Sequence, residues 1–378
     1  MNIMKILQVG KFYPIRGGVE KVMYDLMLGL SENGIRCDML CASTEGHPEG
    51  RTQLNEFAEL IVVRTKVKLA ATMLAPAMIS ELKRIARDYD IVHVHHPDPM
   101  AALALFLSGY KGKVVMHWHS DILKQRKLMK LYAPLQSWLI NRADLILGTT
   151  PVYIKESPFL KNVQSKCDYV PIGVVPFVFQ DEKAQAIRDR YKEKKIVFSL
   201  GRLVEYKGYE YLIKAIALSE DDIQLLIGGT GPLMEQLKSL SEQLSIADRV
   251  TFLGFVADEE VPAYYQSCDC FCLSSISKNE AFAIVQLEAM SFGKPVVSTA
   301  IPGSGVSWVN QHLKSGLIVP IADEKELSIA ITKLLSNDLL YKQLSDGGKN
   351  RYNQFFRRER MVEKTNEIYR KLLSINNV

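Results

Sequence analysis

At 378 residues the chain exceeds what one hydrophobic core usually organises, so two domains are expected. Its 47% hydrophobic and 24% charged residues exclude a disordered chain, and its most apolar run, residues 100–107, is far shorter than the roughly 20 residues a membrane-spanning helix needs. The net charge of +5 is uneven: residues 1–175 carry 22 Lys/Arg against 16 Asp/Glu, and the remainder carries 25 against 26.

In chain order, Met1-Asn2-Ile3 runs directly into an apolar strand with no basic start, apolar middle and cleavage site, so a cytoplasmic protein is expected. Strands are predicted at residues 5–9, 36–41, 60–64, 91–95, 113–117, 145–148 and 168–171, alternating with helices as a parallel sheet requires. The first helix repeats Val19, Val22, Met23, Leu26 and Leu30 and stops near Gly34. Between residues 171 and 195 the pattern lapses, and a second series follows with strands at 195–200, 224–227, 249–253, 269–273 and 295–299. The expected organisation is an N-terminal Rossmann-like domain over 1–175, a C-terminal one over 176–355, and a helical tail over 356–378 that packs back on the first. Such sheets hold ligands beyond the carboxyl ends of their strands, and two facing domains would share one central cleft.

After the first strand, Gly17-Gly18 opens a helix, where backbone N–H groups can approach a phosphate or sugar, or simply make a turn. The spacing does not fit Gly-x-Gly-x-x-Gly, which removes the main support for a nicotinamide dinucleotide. The second domain opens with Gly201-Arg202-Leu203-Val204-Glu205-Tyr206-Lys207-Gly208, two cations at a strand end suited to a pyrophosphate leaving group, against the alternative of a solvated surface. In Glu280-Ala281-Phe282-Ala283-Ile284-Val285-Gln286-Leu287-Glu288, a helix starting at Glu280 would set the carboxylates roughly 12 Å apart, a sugar and a ribose separated by diphosphate. Free N–H groups from Phe282 through Ala283 to Ile284 would meet the β-phosphate, while the alternative for Glu280 is a helix cap.

Cys268, Cys270 and Cys272 alternate within an apolar run and are read as buried thiols on one strand face. Basic stretches at 66–87 and 124–142 are read as helices that either rest on anionic lipid or pack as ordinary amphipathic helices.

Glu280 with seven residues to Glu288, together with Gly201-Arg202-Leu203 and Lys207-Gly208, resembles glycosyltransferase family four, with the α/β GT-B fold of two Rossmann-like doubly wound domains facing a cleft. The resemblance extends through Gly228-Gly229-Thr230-Gly231-Pro232 to Gly293-Lys294-Pro295. It implies that Arg202 and Lys207 hold the diphosphate, Glu288 binds the ribose, Glu280 contacts the donor sugar, and His119, after the strand at 113–117, reaches the same sugar. His93, His95, His96 and His117 either line the acceptor side or sit at strand ends. It also implies retention of the anomeric configuration by front-face attack, without covalent nucleophile, metal or cofactor. Asp88-Tyr89-Asp90 matches Asp-x-Asp in form but precedes a strand, at the end away from the expected cleft. Pro171-Ile172-Gly173-Val174-Val175 departs from the pattern, where many relatives carry Asn before Gly and Asp after Val.

The segment Gly303-Ser304-Gly305-Val306-Ser307-Trp308-Val309-Asn310, together with Ile284-Val285-Gln286-Leu287-Glu288, resembles that of bacterial transferases that build lipopolysaccharide O-antigen and capsule. The expected partners are a nucleotide-diphosphate sugar, GDP-mannose before a UDP-hexose, and a glycan or polyprenyl-linked acceptor, with peripheral contact to an anionic membrane and no nucleic acid. The alternatives are a non-catalytic nucleotide-sugar-binding subunit and a GT-B epimerase or phosphorylase.

Overall fold

The structure, a computed structural model, describes residues 3–15, 17–44, 47–69, 72–122 and 126–374. It separates into two compact units, Met1–Gly173 with Arg358–Val378, and Val174–Arg357.

The first unit contains β1 (Lys5–Tyr13), β2 (Arg36–Ser43), β3 (Gly50–Asn55), β4 (Ala58–Val63), a hairpin of β5 (Val67–Leu69) and β6 (Thr72–Leu74), then β7 (Ile91–His96), β8 (Lys113–Trp118), β9 (Leu145–Gly148) and β10 (Cys167–Tyr169). Among the described residues its main sheet runs β10-β9-β8-β7-β1-β2-β4-β3, parallel except where β3 pairs antiparallel with β4. Every residue of β7 is buried, as a parallel strand covered on both faces demands. The helix Gly18–Glu32 buries Val22, Met23, Leu26, Met27 and Leu30, and the chain turns away at Gly34, whose φ is +73°. The helix Arg358–Ser374 lies against it so closely at Gly29 that a Cβ there would sit 2.3 Å from Val362 Cγ2.

The second unit contains β11 (Lys195–Leu200), β12 (Ile223–Gly228), β13 (Val250–Gly254), β14 (Cys270–Leu273), β15 (Val296–Thr299) and β16 (Gly316–Val319), ordered β13-β12-β11-β14-β15-β16 and parallel throughout. Its core packs Val197, Leu225, Ile227 and Val297 under the helices Tyr209–Ala217 and Glu324–Leu335. Cys270 and Cys272 point into this core from β14. Cys268 lies before the strand, at the end of the helix Val261–Ser267. All three are buried free thiols.

One expectation about the helices changes. Residues 66–87 are not one helix: Val67–Leu69 pairs with Thr72–Leu74, and the helix is confined to Ala77–Ile85. The reason is Pro76, which has no N–H to give a helix passing through it and instead stands at the helix start. Residues 70–71 of that stretch lie outside those described, as do residues 124–125 of the other basic stretch, whose helix is Arg126–Arg142. No helix among the described residues is long and apolar enough to cross a membrane.

Candidate functional site

Both sheets reverse direction of growth at one pair of strands, β1 and β7 in the first unit and β11 and β14 in the second. The helices leave such neighbouring strands on opposite faces, which opens a crevice at their carboxyl ends.

In the second unit those ends carry Arg202 and Lys207 after β11 and Glu280 after β14. Lys207 Nζ and Glu280 Oε2 are 2.6 Å apart with both side chains about nine-tenths buried. Ser275 Oγ donates to the same carboxylate oxygen at 2.9 Å, and Ser304 Oγ donates to the Glu280 backbone carbonyl. Burial alone would lower the Lys207 pKa, but the Glu280 carboxylate together with the Tyr209 and Tyr206 hydroxyls outweighs it, and the net shift is upward. The loop that carries Lys207 closes onto the end of β14 through Gly208, where φ is +64° and a Cβ would lie 2.2 Å from the carbonyl oxygen of Ser274, the residue after that strand. Arg202 is exposed and is not part of this pair.

Glu280 is neither on a helix nor a cap. The helix begins at Ile284, its cap residue is Ala283 with no side-chain hydrogen bond, and residues 280–283 are irregular, so the helical rise expected between Glu280 and Glu288 does not apply. Ala283 adopts φ +64°, ψ +76°, a left-handed conformation rare for a residue with a Cβ, which turns the chain into the helix start. Phe282 beside it is buried edge-on against Phe356. On the helix Ile284–Ser291, Glu288 accepts a 2.9 Å hydrogen bond from the fully buried Tyr265 hydroxyl. Tyr265, Ser275 and Ser304 support the acids; Ser304 lies in the Gly303-Ser304-Gly305 segment noted from the sequence, but no spacing ties any of the three to Glu280 or Glu288.

The first unit places Gly17 as the cap of the helix Gly18–Glu32 and Gly18 as its first residue. A Cβ on Gly17 would meet Glu20 Oε2 at 2.6 Å, so this helix start already faces an acid. Burial, ahead of the opposing Lys11 charge, raises the Glu20 pKa.

His119 follows β8 and is 5% exposed. Its Nε2 is 2.9 Å from His95 Nδ1, and its ring stacks on His117 at 4.1 Å and 9°. His93, His95 and His117 bring ring nitrogens within 4.8 Å of one another, a group able to approach a metal ion. Their rings lie 19°, 7° and 23° from parallel, with centroids 4.7–5.3 Å apart. Asp90 accepts from the Lys5 backbone N–H at 2.8 Å, and Tyr89 donates to Asp38 at 2.6 Å, which ties this Asp-x-Asp segment to the amino ends of the strands.

Two doubly wound sheets in one chain, the second with an acid and a cation meeting at its reversal point, define the architecture of the GT-B glycosyltransferases. Residues 180–351 match the family described as Glycosyl transferases group 1 and residues 16–175 match Glycosyltransferase Family 4. The O-antigen chain mannosyltransferase C of Escherichia coli is 30% identical over 376 residues, 98% of this chain and 99% of that protein. The D-rhamnosyltransferase WbpZ of Pseudomonas aeruginosa is 30% identical over 360 residues, covering 93% and 92%. The chain belongs to glycosyltransferase family four. In fold it is similar to Anabaena HepE in complex with UDP-glucose, at a TM-score of 0.77 and 21% identity over 97% of this chain and 100% of that one.

Proposed function

We propose that this glycosyltransferase is a retaining hexosyltransferase that moves a sugar from a nucleotide diphosphate to a lipid-linked or oligosaccharide acceptor in the synthesis of a cell-surface polysaccharide. The observation that carries the reading is the buried Lys207–Glu280 pair at the carboxyl ends of β11 and β14. Lys207 offsets charge on the departing diphosphate, and exposed Arg202 closes on it from solvent. Glu280, held by Lys207 and Ser275, orients the transferred sugar, Glu288 takes the ribose hydroxyls, and the backbone of Phe282, Ala283 and Ile284 faces the phosphate. The acceptor oxygen bonds to the anomeric carbon as the bond to the diphosphate oxygen breaks, and the acceptor proton passes to that oxygen. Catalysis here is positioning and charge stabilisation rather than covalent chemistry. GDP-mannose leads the donors because the Escherichia coli relative is named a mannosyltransferase; a UDP-hexose follows.

The acceptor reading is supported in the first unit by a cavity of about 450 Å³ at the carboxyl ends of β2 and β4, lined by Thr44, His47, Arg64, Lys66 and Lys68 among others. No carboxylate lines it among the described residues, and the buried Thr44 hydroxyl has no partner there. Such a pocket suits the phosphate of a lipid-linked acceptor.

The test is nucleotide release from a panel of GDP-, UDP- and ADP-sugars, with and without membrane lipid extract. Release from one donor, stimulated by extract and reduced at least about 100-fold in Glu280→Gln, is the expected result. Unchanged turnover in Glu280→Gln would remove its role, and donor binding without release would favour a non-catalytic subunit.

A further inference from the structure

A hydrogen-bonded chain runs beneath His119 and ends in the tail helix. Gln8, His93 and His95 are fully buried. Gln8 Nε2 donates to Tyr369 Oη at 3.3 Å and to Cys37 Sγ at 3.7 Å, which uses both amide hydrogens. Gln8 Oε1 is then left facing His95 Nε2 at 2.6 Å. An amide oxygen only accepts, so His95 Nε2 carries a proton.

Burial, and then the neighbouring His93 and His119, hold the His95 pKa far below its ordinary value, so the ring is neutral and its Nδ1 is a lone pair. That lone pair faces His119 Nε2 at 2.9 Å, which must therefore donate. Burial, and then His117 and Lys11, keep His119 neutral too. One proton on Nε2 leaves none for Nδ1, and Nδ1 makes no hydrogen bond among the described residues.

We infer that Gln8, acting through His95, fixes His119 as the Nε2–H tautomer, so that its Nδ1 accepts a hydrogen bond from a sugar hydroxyl and turns away phosphate oxygens. Gln8 and His95 are positioning residues, and Tyr369 orients the amide from the tail helix. The tautomer stands on the network and on the burial that keeps both rings neutral; its use on a sugar rests on the function proposed above. A phosphate oxygen has no proton for Nδ1 and would be repelled by its lone pair, whereas a hydroxyl satisfies it. The opposite tautomer would reverse that preference.

The experiment is imidazole ¹⁵N NMR of the full chain labelled at histidine, with His119 assigned by its loss in His119→Gln. The expected wild-type spectrum has a protonated Nε2 and an unprotonated Nδ1 at His119. A proton at Nδ1 would overturn the inference and reverse the Gln8 amide. Gln8→Met should bring the two His119 nitrogens towards intermediate shifts and lower kcat/KM for nucleotide release about tenfold, the scale of one misdirected hydrogen bond. An unaltered His119 spectrum in a folded Gln8→Met overturns the role of Gln8, and if that variant does not fold the wild-type spectrum still decides the tautomer. Absence of nucleotide release from the wild type would instead count against the transferase reading, with the spectrum unaffected.

Discussion

The most unusual residues of the first unit are its buried imidazoles, His93, His95, His96, His117 and His119. Burial lowers the pKa of each, to about 3 for His117, with neighbouring histidines and Lys11 adding to the effect at His95 and His119. Unfolded histidine takes a proton near pH 6.5, so between that value and the folded pKa the unfolded chain binds more protons than the folded one. The stability these groups allow is therefore complete above pH 6.5 and is lost as pH falls below it, by about 1.4 kcal/mol per pH unit for each histidine. Five together rival the whole stability of a domain, about 5–15 kcal/mol. Urea unfolding followed by Trp118, which stacks on His96 at 4.1 Å, should show a midpoint that collapses between pH 7 and 5.5. A midpoint that does not move would mean the cluster accepts protons in the folded state.

At the scale of elements, the site depends on two turns with opposite chemistry. Gly208 has a left-handed φ and no room for a Cβ beside the Ser274 carbonyl. Ala283 has a left-handed φ with its Cβ already accommodated. Gly208→Ala should therefore cost about 3 kcal/mol, from strain and collision together. Ala283→Gly should lie within about 1 kcal/mol of neutral, because relief of the left-handed strain offsets the added freedom of the unfolded chain. Chemical denaturation of both variants checks the pair, and a silent Gly208→Ala would show that the Lys207 loop is not fixed by β14. The same elements show what the sequence made legible. The strands at 91–95 and 113–117 are continuous apolar runs broken by histidine, and they appear as β7 and β8 within a residue. β3 escaped because Gly50–Asn55 is a polar, exposed edge strand with no apolar face. Glu280 and Glu288 could be singled out by their spacing, but not the irregular backbone after Glu280, which depends on contacts with Ser275 and Ser304. The pairing of Lys207 with Glu280 follows from β11 lying beside β14, strands separated in sequence by β12 and β13; local periodicity contains nothing about that order.

At the scale of the whole molecule, the chain leaves the first unit at Gly173, builds the second, and returns at Arg358. The returning helix is integral to the first unit's core: it buries Met361, Val362, Thr365, Tyr369 and Leu372, fills the groove at Gly29, and supplies the Tyr369 hydroxyl to Gln8 and His93. At about 1.5–3 kcal/mol for each large buried side chain, its removal takes away as much as a domain's entire stability. The second unit has its own core and none of its residues lies beyond Arg357. A chain ending at residue 357 should therefore lose the cooperative transition reported by Trp118 while keeping the one reported by Trp308, which is packed against Arg351 and Phe356. A synthetic peptide of residues 358–378 added in trans should restore the first transition, because the groove needs the helix and not its covalent link. If the shortened chain keeps both transitions, the tail is an accessory to the first unit's fold, and the Tyr369 end of the histidine network is dispensable with it.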